Sequence, residues 1–115
     1  MFKIQYYDLP SGKEPARAFL GKLPKDERWA AFAHIKLLEE YGNQIGMPES
    51  RAMGNGLFEL RVKLDNGQIR LFYFFVAGRI CVITNGFKKK SKKTPSRYLY
   101  MARKYKKEYE SRNIQ

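Results

Sequence analysis

LFELRVKLDNGQIRLFYFFVAGRICVITNGFKKKSKKTP, residues Leu57 to Pro95, reads as two tight hairpins that deliver three strands into a run of five lysines, Lys88 to Lys93 with Ser91 between them. Asn66-Gly67 lies between two apolar runs, and a two-residue type I′ turn needs positive φ at both central positions, which Asn and Gly tolerate. Ala77-Gly78 reads as a second turn of the same length. Two-residue loops set Lys63 opposite Arg70, Arg61 opposite Phe72, Phe72 opposite Ile83 and Arg70 opposite Asn85. Because strand side chains alternate, one face is expected to carry Glu59, Arg61, Lys63, Arg70, Phe72, Phe74, Arg79, Cys81, Ile83 and Asn85. The other carries Leu60, Val62, Leu64, Ile69, Leu71, Tyr73, Ile80 and Val82 and is a core face. The first face mixes cations with aromatics, a pattern that solvation alone does not require.

The 115 residues suffice for one domain with one core, so residues 1–115 are expected to form a single domain. No apolar run is long enough to span a bilayer and the start, MFKIQYYD, has no signal-peptide pattern, so a cytoplasmic protein without membrane partners is expected. Cys81 is the one cysteine, which excludes an internal disulfide; a small packed residue is its plain reading. His34 is the one histidine and falls mid-helix, so neither a two-histidine nuclease nor a zinc site is expected, and no metal or other cofactor is called for.

Net charge is +12 and unevenly spread. Residues 1–56 carry 8 basic and 7 acidic side chains, residues 57–86 carry 4 and 2, and residues 87–115 carry 11 and 2. Such concentration next to the cationic sheet face points to a polyanion, nucleic acid first, held largely through its phosphates.

Upstream, Phe2 to Tyr7 alternates as a strand. Ser11 with Glu14 three positions on suggests a capping box, with Pro15 in the first turn of a short helix closed by Gly21. A second helix is expected from Pro24 to about Tyr41, with Trp29, Phe32, Ile35 and Leu38, and separately Leu37 and Tyr41, spaced to cover a sheet. Residues 43–56 are punctuated by Gly and Pro and read as a loop in which Arg51 is solvated. After the lysines, Thr94 and Pro95 open a helix as cap and first residue, and Tyr98, Met101, Ala102, Tyr105 and Tyr109 form its apolar stripe. The order is β-α-α-β-β-β-α, an α+β fold with a twisted antiparallel sheet, an N-terminal helical hairpin and a C-terminal helix.

The lysine run is anchored between a strand and a capped helix, so it can position charge. RNA phosphodiester cleavage needs a 2′-hydroxyl nucleophile, stabilisation of the added negative charge on phosphorus, and proton transfers. Arg61, Arg70 and two or three of the lysines can supply the second need as fixed cations. Crowding by like charges lowers a lysine's pKa, which makes Lys88, Lys89, Lys90 or Lys93 a candidate for proton transfer. Glu59, the one nearby carboxylate, is better read as the ion-pair partner of Arg61 or Arg70. Carboxylates are too scattered for a two-metal nuclease. Phe72 and Phe74 can stack bases or be covered by a partner, and Lys63, Lys88, Lys92 and Arg97 extend the expected RNA-binding surface.

LFELRV, IRLFYFF and GFKKKSKKTP, followed by a basic terminal helix, resemble the RelE/ParE superfamily of toxins from type II toxin-antitoxin systems, and within it the phage-derived HigB-like branch. The branch pattern Phe-x-Lys-Lys-x-x-Lys-Thr-Pro is met by Phe87, Lys89, Lys90, Lys93, Thr94 and Pro95. The resemblance covers almost the whole chain. It implies a RelE-like α+β fold and a metal-independent, ribosome-dependent mRNA endoribonuclease that inhibits translation. Arg61, Arg70, Lys89, Lys90 and Lys93 match its catalytic cations. Members often add a histidine or tyrosine for proton transfer; no histidine lies in the matching region here, and Tyr98 or Tyr100 can take that part only if the last helix turns one of them inward. It also implies a partner, a helix-turn-helix antitoxin. A non-catalytic nucleic-acid- or ribosome-binding protein and a ParE-like gyrase inhibitor are the competing readings.

Overall fold

The structure, a computed structural model, describes residues 1–90 and 95–113. Its elements are β1 (Lys3–Tyr6), α1 (Pro15–Gly21), α2 (Lys25–Tyr41), a 3₁₀ turn (Gly42–Gln44), β2 (Ser50–Gly54), β3 (Leu57–Leu64), β4 (Gly67–Val76), β5 (Ile80–Lys89) and α3 (Ser96–Arg112). The five strands form one sheet in the order β1-β5-β4-β3-β2. The fold is α+β as expected, with two departures. The sheet is mixed, because β1 runs parallel to β5 along its edge. Residues 43–56 are not all loop: β2 pairs antiparallel with β3, Ser50 opposite Leu60 and Ala52 opposite Phe58.

The helical hairpin α1-α2 covers one face. Leu60, Val62, Ile69, Leu71, Tyr73, Cys81 and Ile83 meet Ala16, Leu20, Leu23, Ala31, Ile35 and Leu38 there, all buried. Helix α2 seats on Ala31, Ile35 and Leu38, spaced i, i+4, i+7 with a small residue at the closest approach. Trp29, Phe32 and Tyr41 therefore do not join the core as expected; they are exposed on the outer side. Nor does Ser11 cap α1: Glu14 holds the N-cap position without a side-chain bond. For α3, Pro95 is the N-cap, and Thr94 lies outside the described residues.

Helix α3 lies on the opposite sheet face. Tyr7, Leu57, Phe72, Phe74, Val82 and Phe87 meet Ala102, Tyr105 and Tyr109, which makes the fold three layers deep. Tyr105 stacks on Tyr7 (4.9 Å between centroids), Tyr109 meets Phe74 edge-on (5.4 Å), and Tyr98 lies flat on Phe87 (4.4 Å). Polar bonds tie the helix down at both ends. Asn85 Nδ2 donates to the Tyr98 carbonyl (3.1 Å), and the Tyr7 hydroxyl donates to Glu108 (2.6 Å).

The register differs from expectation in both hairpins. Leu64 pairs with Gly67, so the first loop is Asp65-Asn66, and Gly67 takes the positive φ (+130). A Cβ at Gly67 would lie 2.6 Å from the Lys89 carbonyl, so only glycine lets this hairpin close against β5. Arg61 consequently faces Arg70, Lys63 faces Gln68 and Glu59 faces Phe72. The shift is by two residues, so the faces survive. The second loop has three residues, with positive φ at Gly78 and Arg79 and Val76 opposite Ile80. This odd shift turns Ile80 and Val82 toward α3, and Cys81 and Ile83 toward the helical hairpin, the reverse of the expected assignment. A bulge between Phe72 and Tyr73 then shifts the register by one more, setting Phe72 opposite Asn85, Arg70 opposite Phe87 and Gln68 opposite Lys89.

Candidate functional site

Three rungs of the sheet build the site. Lys63, Gln68 and Lys89 align across β3, β4 and β5; Arg61, Arg70 and Phe87 form the next rung, and Glu59, Phe72 and Asn85 the third. All project toward the α3 side, because each is two residues from its neighbour along its strand. Phe72 lies under α3, which starts beside Phe87, so the first two rungs stay partly open. There Lys63, Leu64, Gly67, Gln68, Arg70, Lys89 and Lys90 line a shallow cleft of about 320 Å³.

Arg70 is the fixed point of this cleft. It is 6% exposed, its Nη1 donates to Glu59 Oε1 (2.7 Å), and its Nε and Nη2 both donate to Gln68 Oε1, the first at 2.8 Å. These bonds occupy three of the five N–H donors of a guanidinium and hold its plane. Arg61 Nε donates to the same Glu59 oxygen (3.2 Å). Glu59, 1% exposed, thus serves two arginines, which confirms its reading as an ion-pair partner. One buried carboxylate under two guanidiniums leaves net positive charge, and Lys63, Lys89 and Lys90 add to it at the cleft. No carboxylate lines the cleft among the described residues, and its titratable lining groups are lysines.

Of the residues expected from sequence, Arg61, Lys63, Arg70, Lys89 and Lys90 come together here. Others do not. Phe72 and Phe74, 0% and 1% exposed, are roofed by α3 and offer no ring to a base. Lys88 points to the other face, where its ammonium meets Glu27 Oε2 of α2 at 2.7 Å, because strand alternation separates it from Lys89. Arg97 sits at the start of α3 with its guanidinium over the Tyr98 ring (4.7 Å) and is not among the residues that line the cleft. Lys92 and Lys93 lie outside the described residues. Tyr98 turns inward onto Phe87, next to Arg70 on the same rung, whereas Tyr100 is 69% exposed. Gln68 was not singled out, although strict alternation back from Arg70 marks it as a member of this face.

Elsewhere the bland readings hold. Cys81 is buried, and burial pushes its thiol up to about 12. His34 Nδ1 is 3.1 Å from the Ala30 carbonyl of its own helix, and Arg51 is exposed. Tyr73 bonds to Ser50 inside the core, and burial, partly offset by that bond, pushes its hydroxyl up to about 12. Among the described residues no three His, Cys, Asp or Glu side chains gather closely enough to hold a metal ion. No helix among them is long and apolar enough to cross a membrane.

Residues 18–107 match the family described as Phage derived protein Gp49-like (DUF891), from within α1 to within α3 and across the whole site. The chain belongs to this family. Gp49-like proteins fall in the RelE/HigB-like toxin superfamily, commonly as the toxin of a toxin-antitoxin pair, and the five-stranded sheet with helices before and after it is consistent with a RelE-like fold. Against curated proteins the chain has no match.

Proposed function

We propose that this Gp49-like chain is a HigB-like toxin whose residues 1–115 act as one domain in the cytoplasm, cutting mRNA on the ribosome and so stopping translation. The observation that carries the reading is the meeting of Lys63, Arg70, Lys89 and Lys90 around one cleft, with Arg61 on the adjoining rung. A phosphodiester seated there has its non-bridging oxygens against fixed cations. When the 2′-oxygen attacks phosphorus, the added negative charge develops beside Arg70, whose orientation is set beforehand by Glu59 and Gln68. Pre-aimed donors of this kind are commonly worth about 10²–10³ in rate each.

The P–O5′ bond then breaks, leaving a 2′,3′-cyclic phosphate on one fragment and a 5′-hydroxyl on the other. Lys89 and Lys90, at the cleft, are the candidates for the two proton transfers, one from the 2′-hydroxyl and one to the departing 5′-oxygen. No step is assigned to a metal, because the lysines and arginines supply the positive charge. Lys92 and Lys93, outside the described residues, are retained as candidates from the sequence pattern alone. A helix-turn-helix antitoxin with an acidic or amphipathic segment is the partner that such a surface would accept.

The test is sequencing of mRNA 5′ ends shortly after induced expression. New ends at defined codon positions are expected from the wild type and none from Lys89→Ala with Lys90→Ala, whose growth arrest should vanish while the folded protein persists. Arrest with mRNA intact would point to binding without chemistry, or, if DNA breaks accompany it, to gyrase inhibition.

A further inference from the structure

A second cationic groove lies on the same side of the sheet, between α3 and the turn from β2 to β3. It encloses about 610 Å³ and is lined by Leu57, Tyr100, Arg103, Lys104, Lys106 and Lys107 among others. Resting on the nuclease reading above, we infer that this groove holds the RNA strand that continues from the cleft, Lys104 and Lys107 meeting its phosphates and Tyr100 stacking a base.

The cations here are of two kinds. Arg103 donates to the Met53 carbonyl (2.8 Å), and Lys106 pairs with Glu110 (2.9 Å) above the Phe74 ring, so both have structural work. Lys104 and Lys107 are exposed and make no ion pair among the described residues. Tyr100, Arg103, Lys104 and Lys107 are spaced i, i+3, i+4 and i+7, one continuous stripe of the helix, while Ala102, Tyr105 and Tyr109 face the core. A solvated helix face accounts for the lysines. It does not account for a tyrosine ring left 69% exposed in their midst. Cations interleaved with an exposed ring are what single-stranded nucleic acid needs, since every base offers a π-face and every linkage a charge.

Strand β3 connects the two places, with Leu57 at the groove and Leu64 at the cleft. Seven residue steps at about 3.4 Å put them roughly 24 Å apart, a span of several nucleotides. An acidic amphipathic peptide is the rival occupant. Charge and an exposed ring favour RNA, and the poly-glutamate arm of the test below separates the two occupants.

Fluorescence anisotropy of the full chain with uncleavable 2′-O-methyl RNA, a 4-mer and a 14-mer, tests this at low salt. The wild type should bind the 14-mer at least tenfold more tightly. Lys104→Gln with Lys107→Gln should remove that advantage, leave the 4-mer unchanged and reduce the log K against log [salt] slope by about 1.4, two phosphate contacts on a single strand. Tyr100→Ala should weaken the 14-mer about tenfold. Cleavage of short substrates should be unaffected by the lysine changes, and circular dichroism should show folded variants. A 14-mer advantage and salt slope that survive the lysine changes would overturn the inference while leaving the cleft intact. So would poly-glutamate binding that the lysine changes abolish without affecting RNA. A wild type that binds neither oligonucleotide would remove the nuclease reading, and this inference with it.

Discussion

The two faces of the sheet are organised on opposite terms. Under the helical hairpin the contact is dry: Leu60, Val62, Ile69 and Leu71 are 0% exposed. On the α3 side the covering helix begins beside Phe87 and runs along Phe72, Phe74 and Val82, leaving the rungs of Lys63 and Arg70 partly uncovered. The same alternation that buries four aliphatics on one side gathers Glu59, Arg61, Lys63, Gln68 and Arg70 on the other. One face spends its side chains on cohesion. The other keeps like charges close together on a scaffold it helps stabilise only in part.

Substitutions under the covering helices and in the open cleft should therefore separate stability from activity. The largest effect is expected from Phe72→Ala, about 3–5 kcal/mol by denaturant unfolding, because the ring is fully buried between sheet and α3. Leu71→Ala on the hairpin side should cost about 2–5 kcal/mol; a far smaller loss there would mean that the hairpin face is looser than its burial implies. Next comes Arg70→Ala, at about 3 kcal/mol, since it leaves the buried Glu59 with Arg61 as its one remaining ion-pair partner. This change is consequently a poor probe of chemistry, and Glu59→Gln with Arg70→Gln is the better control for the lost pair.

Lys63→Gln and Lys89→Gln should fall within about 0.5 kcal/mol of wild type yet reduce growth arrest sharply. A destabilisation as large as that of Leu71→Ala would erase the distinction between the covered sheet and the open cleft. A separate effect concerns alkali. Burial raises Cys81 and Tyr73 to about 12 each, so their neutral forms stabilise the fold. That contribution is complete below the unfolded values, about 8.5 for a thiol and 10 for a phenol, and is lost as pH rises from there through about 12. Melting temperature should decline over that window, and Cys81 should resist alkylation at pH 8 in the folded chain.

Much of this layout was legible in residue order. Period-two alternation in β3 and β4 placed Arg61, Lys63 and Arg70 on one face and the aliphatics on the other, and that outcome withstood a misplaced turn because the error was an even number of residues. In β5 the error was odd. A three-residue loop with Arg79 at positive φ and a bulge at Phe72 are backbone choices that the side-chain pattern of ICVIT does not announce. Phe72 and Phe74 looked available because alternation tells which side a ring takes, not what lies over it; the tyrosine stripe of α3 was the missing half of that contact. β2 was hidden because SRAMG is an edge strand whose pairing with β3, rather than its own composition, makes it extended. Trp29 and Phe32 misled for a related reason: helical spacing identified a stripe, but Ala31 permits closer approach than either ring.

The bulge has a consequence for the lysine run. A run of identical charges carries no phase of its own: sliding β5 by one residue would offer the cleft Lys88 in place of Lys89, another ammonium. What such a slip cannot preserve is the pair just before it. Gly86 stands where a Cβ would lie 2.4 Å from Leu71 Cδ2, and Phe87 lies flat beneath Tyr98. That slip would force the Asn85 side chain into the space meant for none and set Gly86 beneath Tyr98 in place of a ring. The uncharged dipeptide Gly86-Phe87 is thus the keying that tells the lysines which way to point.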